Sequence, residues 1–179
     1  ARCWIDPSQP VDNALITQLL ADQNIAFARI GSVAPGPGIR MTMDDEGAAR
    51  TATEHLIELG HKRIGFIGGF KEYALSQWRV DGWSSAMAAA GLPTEDLFVQ
   101  GDFSFGSGDA ATRQLLRLPE RATAIIGSND QMTLAALDVA REFGLRVPDD
   151  LSLISFDNTP IVRFTLPALT AVDQPIAAT

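Results

Sequence analysis

The chain has 179 residues, 46% of them hydrophobic and 7% aromatic, which is apolar mass enough for one ordinary domain or two small lobes and excludes bulk disorder. With 14 Lys and Arg against 22 Asp and Glu, the formal charge of −8 argues against broad nucleic-acid or membrane binding by these residues. A single cysteine, Cys3, excludes an internal disulfide and any multi-cysteine metal site, and no apolar run has membrane-spanning length or signal-peptide form.

The chain begins at Ala1 rather than Met and goes almost at once into an apolar stretch, as a piece of a longer protein would. Val11, Leu15 and Leu19, with Ile16 and Leu20 beside them, form a helical stripe. Ile25 to Ile30 reads as a strand, and Val33 to Gly38 as a Pro/Gly loop. Asp44 and Asp45 stand where a helix N-cap belongs; Ala49, Ala52, Leu56 and Leu59 carry that helix to Gly60, a C′ glycine. These first sixty residues hold only two or three strands. Alone, such a sheet leaves a raw edge and an uncovered face, so they read as part of a lobe.

From residue 61 a strand-like run alternates with a helix-like run. Ile64 to Ile67 is a buried strand bounded by Gly68-Gly69, and Val80, Trp83, Met87 and Ala90 mark one helix face, stopped by Gly91, Leu92 and Pro93. Leu97 to Val99, Ala124 to Ile126 and Leu151 to Phe156 are further apolar runs. Ala111, Leu115 and Leu118, then Met132, Ala136, Val139 and Phe143, mark the helices between them. Strands alternating with helices at this spacing predict βαβ units, a parallel sheet and a doubly wound α/β lobe.

In an open parallel sheet, ligands bind beyond the carboxyl ends of the strands. That rule selects Gly68 and Gly69 with the loop to Trp78 and Arg79, then Gly101, Asp102 and Phe103, then Gly127, Ser128, Asn129 and Asp130, and finally Asp157 and Asn158. Arg, Asn and Asp can each bind two neighbouring groups, which suits a diol, a carboxylate or a purine edge. Phe or Trp supplies an apolar face for a ring. Each residue also has a plainer reading. Asp157-Asn158-Thr159-Pro160 has the composition of a turn. Asn129 can cap the helix that starts at Asp130, and the two roles can coexist. Arg79 can be a surface salt-bridge partner, Phe103 can be core, Trp83 reads better as core, and Trp78 can face either way.

Catalytic signatures are poor. No G-x-S-x-G elbow and no Walker A sequence is present. Gly106-x-Gly108-x-x-Ala111 matches a dinucleotide fingerprint only loosely, without an apolar strand before it, and reads as a flexible start to a helix. His55 and His61 do not have the spacing of a helical metal pair. His61-Lys62-Arg63 reads as positive charge at a negative helix terminus. Nucleophile, base and oxyanion hole do not assemble, so no enzyme, metal or cofactor is expected.

Six blocks, in order and spacing, resemble the effector-binding region of LacI-family (lactose-repressor-type) bacterial transcription regulators. They are Asp44 to Ala49 leading into Thr53 to Gly69; Arg79-Val80-Asp81-Gly82-Trp83; Gly101-Asp102-Phe103; Ser128 to Met132; Gly144 to Asn158; and Leu166 to Pro175. The resemblance covers nearly the whole chain. It implies a periplasmic-binding-protein-like fold of two α/β lobes with parallel sheets, one lobe complete and one partial, with an effector in the cleft. The partial lobe would be residues 1–60 with 174–179, and the complete lobe 61–173. Arg79, Phe103, Asn129 and Asp157 are the effector-binding positions it implies, with Gln174, at the hinge, as a fifth. It places the helix from Asp130 to Phe143 and the segment from Pro160 to Leu166 near a homodimer interface. Against the family pattern, the helix-turn-helix region, the opening strands and a closing helix and strand are absent, which implies truncation at both ends. The order Gly47-Ala48 is inverted.

The expectation is therefore the sensing core of a cytoplasmic repressor. It would bind a sugar-like or purine-like small molecule and meet operator DNA only through a domain absent from this chain. An exported sugar-binding protein of a transport system is the alternative, and a nucleotide-dependent α/β enzyme a third reading.

Overall fold

The computed structural model describes residues 13–30 and 35–174. Val11 of the first predicted stripe, the start of the Pro/Gly loop and the tail 175–179 lie outside the described residues. The chain divides into two compact units, Ala1–Met43 and Asp44–Thr179.

In the first unit, α1 (Asn13–Asp22) is followed by two short parallel strands, β1 (Ala28–Ile30) and β2 (Ile39–Met41). Both are shorter than an average strand, and the second carried no apolar run by which to predict it. Leu15 and Leu19 of the α1 stripe are exposed. A two-stranded pair offers too little apolar surface to cover them. Arg29 Nη2 donates to the Gly36 carbonyl at 2.9 Å and so pins the described part of the Pro/Gly loop.

The second unit contains α2 (Asp45–Glu58), β3 (Ile64–Gly68), α3 (Ala74–Ala89), β4 (Phe98–Gln100), α4 (Phe105–Leu116), β5 (Ala124–Gly127), α5 (Asp130–Glu142), β6 (Ser152–Asp157), a 3₁₀ turn (Pro160–Arg163) and β7 (Thr170–Asp173). The five strands pair in the order β4-β3-β5-β6-β7, all parallel. Every residue of β3 and β5 is buried, which is why these central strands read as unbroken apolar runs. β7 is half-exposed at the sheet edge, so its sequence carried no strand signal of that kind.

From β3 the chain steps outward to β4, then reverses through β5, β6 and β7. Right-handed crossovers place α3 on one face and α4 and α5 on the other. The helices pair accordingly, α2 with α3 and α4 with α5. The reversal puts the topological switch point between β3 and β5.

Small residues let both helix pairs close. A Cβ on Gly82 of α3 would stand 2.1 Å from the Glu46 carbonyl oxygen of α2, and one on Gly108 of α4 would stand 2.5 Å from Met132 Cα of α5. Gly108, predicted as part of a flexible helix start, is thus a close-packing position. Trp83 is core, 2% exposed, with its indole N–H donating to the Ile64 carbonyl at 3.1 Å.

The compact units divide before α2, which the sequence places with residues 1–60. The reason is its apolar stripe: Ala49, Ala52 and Leu56 are buried in the unit that holds α3. Gln174, grouped with the first lobe, also falls in the second unit. His61, expected with Lys62 and Arg63 as charge at a helix end, turns its ring to the sheet. Its ring lies 3.0 Å from both Thr123 Oγ1 and Ser152 Oγ, bridging the starts of β5 and β6, and burial lowers its pKa.

Candidate functional site at the carboxyl edge of the sheet

All five predicted residues stand at the carboxyl edge of the second unit's sheet: Phe103, Asn129 and Gln174 just beyond β4, β5 and β7, Asp157 at the last position of β6, and Arg79 in the second turn of α3. A single chain of contacts links them. Asn129, after β5, donates from Nδ2 to the Phe103 carbonyl at 2.8 Å. Next to Asn129, the Ser128 carbonyl accepts from Arg79 Nη1 at 2.5 Å. The Arg79 guanidinium lies 4.4 Å from the centre of the Phe156 ring. The next residue, Asp157, accepts from Gln174 Nε2 at 2.7 Å.

Arg79 is neither on the surface nor loose. It is 2% exposed, and its Nε donates to Asp45 Oδ1 at 2.7 Å in an ion pair whose side chains are 3% and 7% exposed. A buried guanidinium needs this: one carboxylate, one carbonyl and one aromatic face replace the water it has lost. Among the described residues, no protein atom accepts from its Nη2. Sequence reading missed Asp45 as a partner because it stands 34 residues earlier. Its signal was the Asp44-Asp45 pair read as an N-cap. Asp44 does cap α2, accepting from Gly47 N at 2.9 Å, while Asp45 turns inward.

Asn129 has both anticipated roles. Its Oδ1 accepts from Met132 N at 2.9 Å, capping α5, while its amide fixes the Phe103 loop. The adjacent Asp130 is buried and fully bonded, taking Ser155 Oγ at 2.5 Å, Thr159 N at 2.7 Å and Thr159 Oγ1 at 2.6 Å. It fastens the loop after β6 to α5, so this residue, selected by the strand-end rule together with Asn129, has its carboxylate taken up by the scaffold.

Phe103 stands three residues beyond β4 in left-handed backbone, φ 67°. Asp102 Oδ1 accepts from Ser104 N at 2.9 Å and closes the turn that holds it there. Its ring lies on Gly69, where a Cβ would come within 1.9 Å of it. Phe70 and Tyr73 join it, with centroids 5.8 Å and 6.1 Å from Phe103, so the β3–β4 end of the edge is aromatic. Tyr73 and Phe70 were not selected from sequence, although Tyr73 is the chain's one tyrosine.

Asp157, the last residue of β6, and Asn158, the first beyond it, have φ of 98° and 57°. Left-handed backbone costs a non-glycine residue roughly 1–2 kcal/mol. Strain of this kind persists where surrounding structure fixes it, and it concentrates at binding sites. The turn expected from the composition of 157–160 is real, and it aims a carboxylate. Burial pushes the Asp157 carboxyl above its ordinary range; the charge of Arg79 pulls it back down, and Asp130 and Asp45 add to the upward push.

The edge thus runs from aromatic to acidic, with a guanidinium in its middle. Such an edge can take a small molecule with one apolar face and several hydroxyl or amide groups, and hold it by reversible hydrogen bonds. Among the described residues, no three His, Cys, Asp or Glu side chains gather as a metal site, and no helix is long and apolar enough to cross a membrane.

A parallel sheet wound on both faces, with its polar groups gathered beyond the strand ends, is the architecture of one lobe of a periplasmic-binding-protein-like fold. Residues 53–179 match the family described as periplasmic binding protein-like domain. The chain belongs to that family, as the effector-binding region found in LacI-family transcriptional regulators. It is 42% identical over 134 residues to the HTH-type transcriptional repressor CytR of Escherichia coli K12, a match covering 74% of this chain and 39% of that protein. A crystal structure of a LacI-family regulatory protein from Chloroflexus aggregans superposes with a TM-score of 0.85 at 34% identity, covering 96% of this chain and 62% of that one. The complex of the regulator CelR with cellobiose superposes with a TM-score of 0.80 at 36% identity, covering 92% and 51%. The chain therefore spans about two fifths of the length of that curated relative, at 39%.

Proposed function

We propose that the carboxyl edge of β3 to β7 receives a small polar effector, sugar-like or purine-like, and that its occupancy controls operator binding by a DNA-reading domain of the longer protein. The observation that carries this reading is the convergence of Arg79, Phe103, Asn129 and Asp157 on one edge, with two of the four held in left-handed backbone. The cellobiose complex of CelR supports a saccharide as one class to test. Asp157 and the free edge of Arg79 bind hydroxyl or amide groups, and Phe103 covers a ring face. The mechanism is reversible binding without turnover, and an effector acts through its differential affinity for two arrangements of the regulator.

Thermal-shift screening of the full-length protein against saccharides, sugar phosphates, nucleosides and nucleobases tests the reading. A compound present at about a hundred times its Kd stabilises the native state by ~2.7 kcal/mol, which reads as a clear rise in Tm. A binder whose affinity is the same for the parent, Asp157→Asn and Phe103→Leu would place the effector site elsewhere.

The working form we propose is a homodimer. Phe164 and Leu166 are 83% and 82% exposed beside the half-exposed Ile161, an apolar cluster at the end of α5 and the 3₁₀ turn. Clusters of this kind mark protein contacts. Phe164→Glu combined with Leu166→Glu is expected to convert a dimer into a monomer in sedimentation velocity without changing the far-UV circular dichroism. An unchanged sedimentation coefficient in the double variant rejects this face.

A further inference from the structure

Gln174 differs from the other four residues of the edge. It follows β7 directly, and both its polar groups described in the structure point at one residue. Its side-chain amide donates to Asp157 Oδ1 at 2.7 Å and its backbone N–H to the Asp157 carbonyl at 3.3 Å. A matching bond lies alongside, from Asn158 Nδ2 to Asp173 Oδ1 at 2.7 Å. The parallel register of β6 on β7 ends at the pair Asp157 and Asp173. The two side-chain bonds therefore begin where strand pairing stops, and they join the last residue of β6 and the one after it, both left-handed, to the end of β7 and the residue beyond it.

This tie explains how the strained pair is retained. Neither Asp157 nor Asn158 has glycine's freedom at positive φ. Each has instead a side-chain bond across to β7 or its exit.

We propose that Gln174 is a positioning residue: it meets no effector itself, but fixes the orientation of the Asp157 carboxylate and joins that carboxylate to the chain leaving β7. This rests on the reading that Asp157 receives the effector. Its consequence is that anything that pulls on the Asp157 carboxylate pulls on the residue that leaves β7 through the Gln174 side chain, without passing through the core.

The proton is the probe that needs no effector. The charged groups facing Asp157 are Arg79 of α3, Asp130 of α5 and Asp45 of α2, with Asp173 opposite on β7. An amide N–H given to a carboxylate favours its charged form. In a carboxyl ¹³C NMR titration of the chain, Gln174→Met keeps the side-chain length and removes the donor, so the Asp157 midpoint moves to higher pH. Gln174→Glu, which places a second carboxylate beside the first, moves it further in the same direction. In the parent, the side-chain amide protons of Gln174 shift through the same midpoint as Asp157, a measurement that requires no variant to fold.

An Asp157 midpoint equal in the parent and a folded Gln174→Met overturns the proposal. So do Gln174 amide protons that ignore the Asp157 titration. A residue that merely packs would move neither signal. Failure of the effector reading is separate and visible elsewhere: Asp157→Asn would then leave the affinity of a screened binder unchanged while the proton coupling persisted.

Discussion

Asp45→Ala and Arg79→Ala are each expected to lower the unfolding free energy by about 3–5 kcal/mol, read from urea denaturation, because each leaves a buried, unpaired charge. The pair sits between α2 and α3 with side chains only 7% and 3% exposed, so water cannot take the place of the missing partner. Arg79 loses more than the carboxylate contact, since the same guanidinium holds the Ser128 carbonyl and covers the Phe156 ring. Arg79→Lys is also not conservative here: one ammonium cannot donate to Asp45 and Ser128 while lying flat on an aromatic face. The double variant Asp45→Leu with Arg79→Met, with no charge left to bury, is expected to be more stable than either single alanine variant. An Asp45→Ala protein within 1 kcal/mol of the parent would show that the pair is not what fastens α2. A practical consequence follows for any effector experiment. Loss of response in Arg79→Ala reports the fold as well as the contact, so Arg79 alone cannot establish the site.

Position along the chain was legible in the sequence where period and punctuation agree. The runs around Ile64, Ala124 and Leu151 became central strands because burial on both faces demands unbroken apolar residues. The strand-end rule then located Phe103, Asn129 and Asp157 without any partner being known. Partnership was not legible. Arg79 read as a surface cation or a ligand contact because its carboxylate lies 34 residues away, and nothing local to either residue marks the pair. Gln174 read, through the resemblance, as a hinge-side effector contact; its bond to Asp157 was not legible because β7 is a half-exposed edge strand whose pairing with β6 leaves no periodic trace. Phe70 and Tyr73 escaped because a strand-end loop has no period at all, and only the fold brings their rings to Phe103. Glycine spacing was informative in another sense than expected. Gly108 suggested phosphate chemistry only by its spacing to Gly106, whereas its function is to let α4 approach the backbone of α5.

Asp157→Asn is expected to separate stability from binding. The Asp157 carboxyl is pushed above its ordinary range chiefly by burial, so the fold favours its protonated form. A folded-state pKa above the unfolded value means that this group's stabilising contribution is fully present below the unfolded pKa. It is lost as pH rises through the folded pKa. As pH rises and the carboxyl ionises, the parent holds that charge at a cost, and asparagine, neutral at every pH, removes it. Asparagine also keeps an acceptor for Gln174 Nε2, so the tie to β7 survives. The variant is expected to melt with the parent in acid and above it at neutral pH, the gap opening as pH rises. Effector affinity is expected to move the opposite way. A hydrogen bond to a charged group contributes about 1.5–3 kcal/mol, so losing the charge weakens binding by roughly ten- to a hundredfold in calorimetry at neutral pH. A parent that melts higher than Asp157→Asn at neutral pH without effector would show that the carboxylate is held for stability. A gain in stability with a loss of affinity is what a strained, partly buried carboxylate retained for a ligand must give.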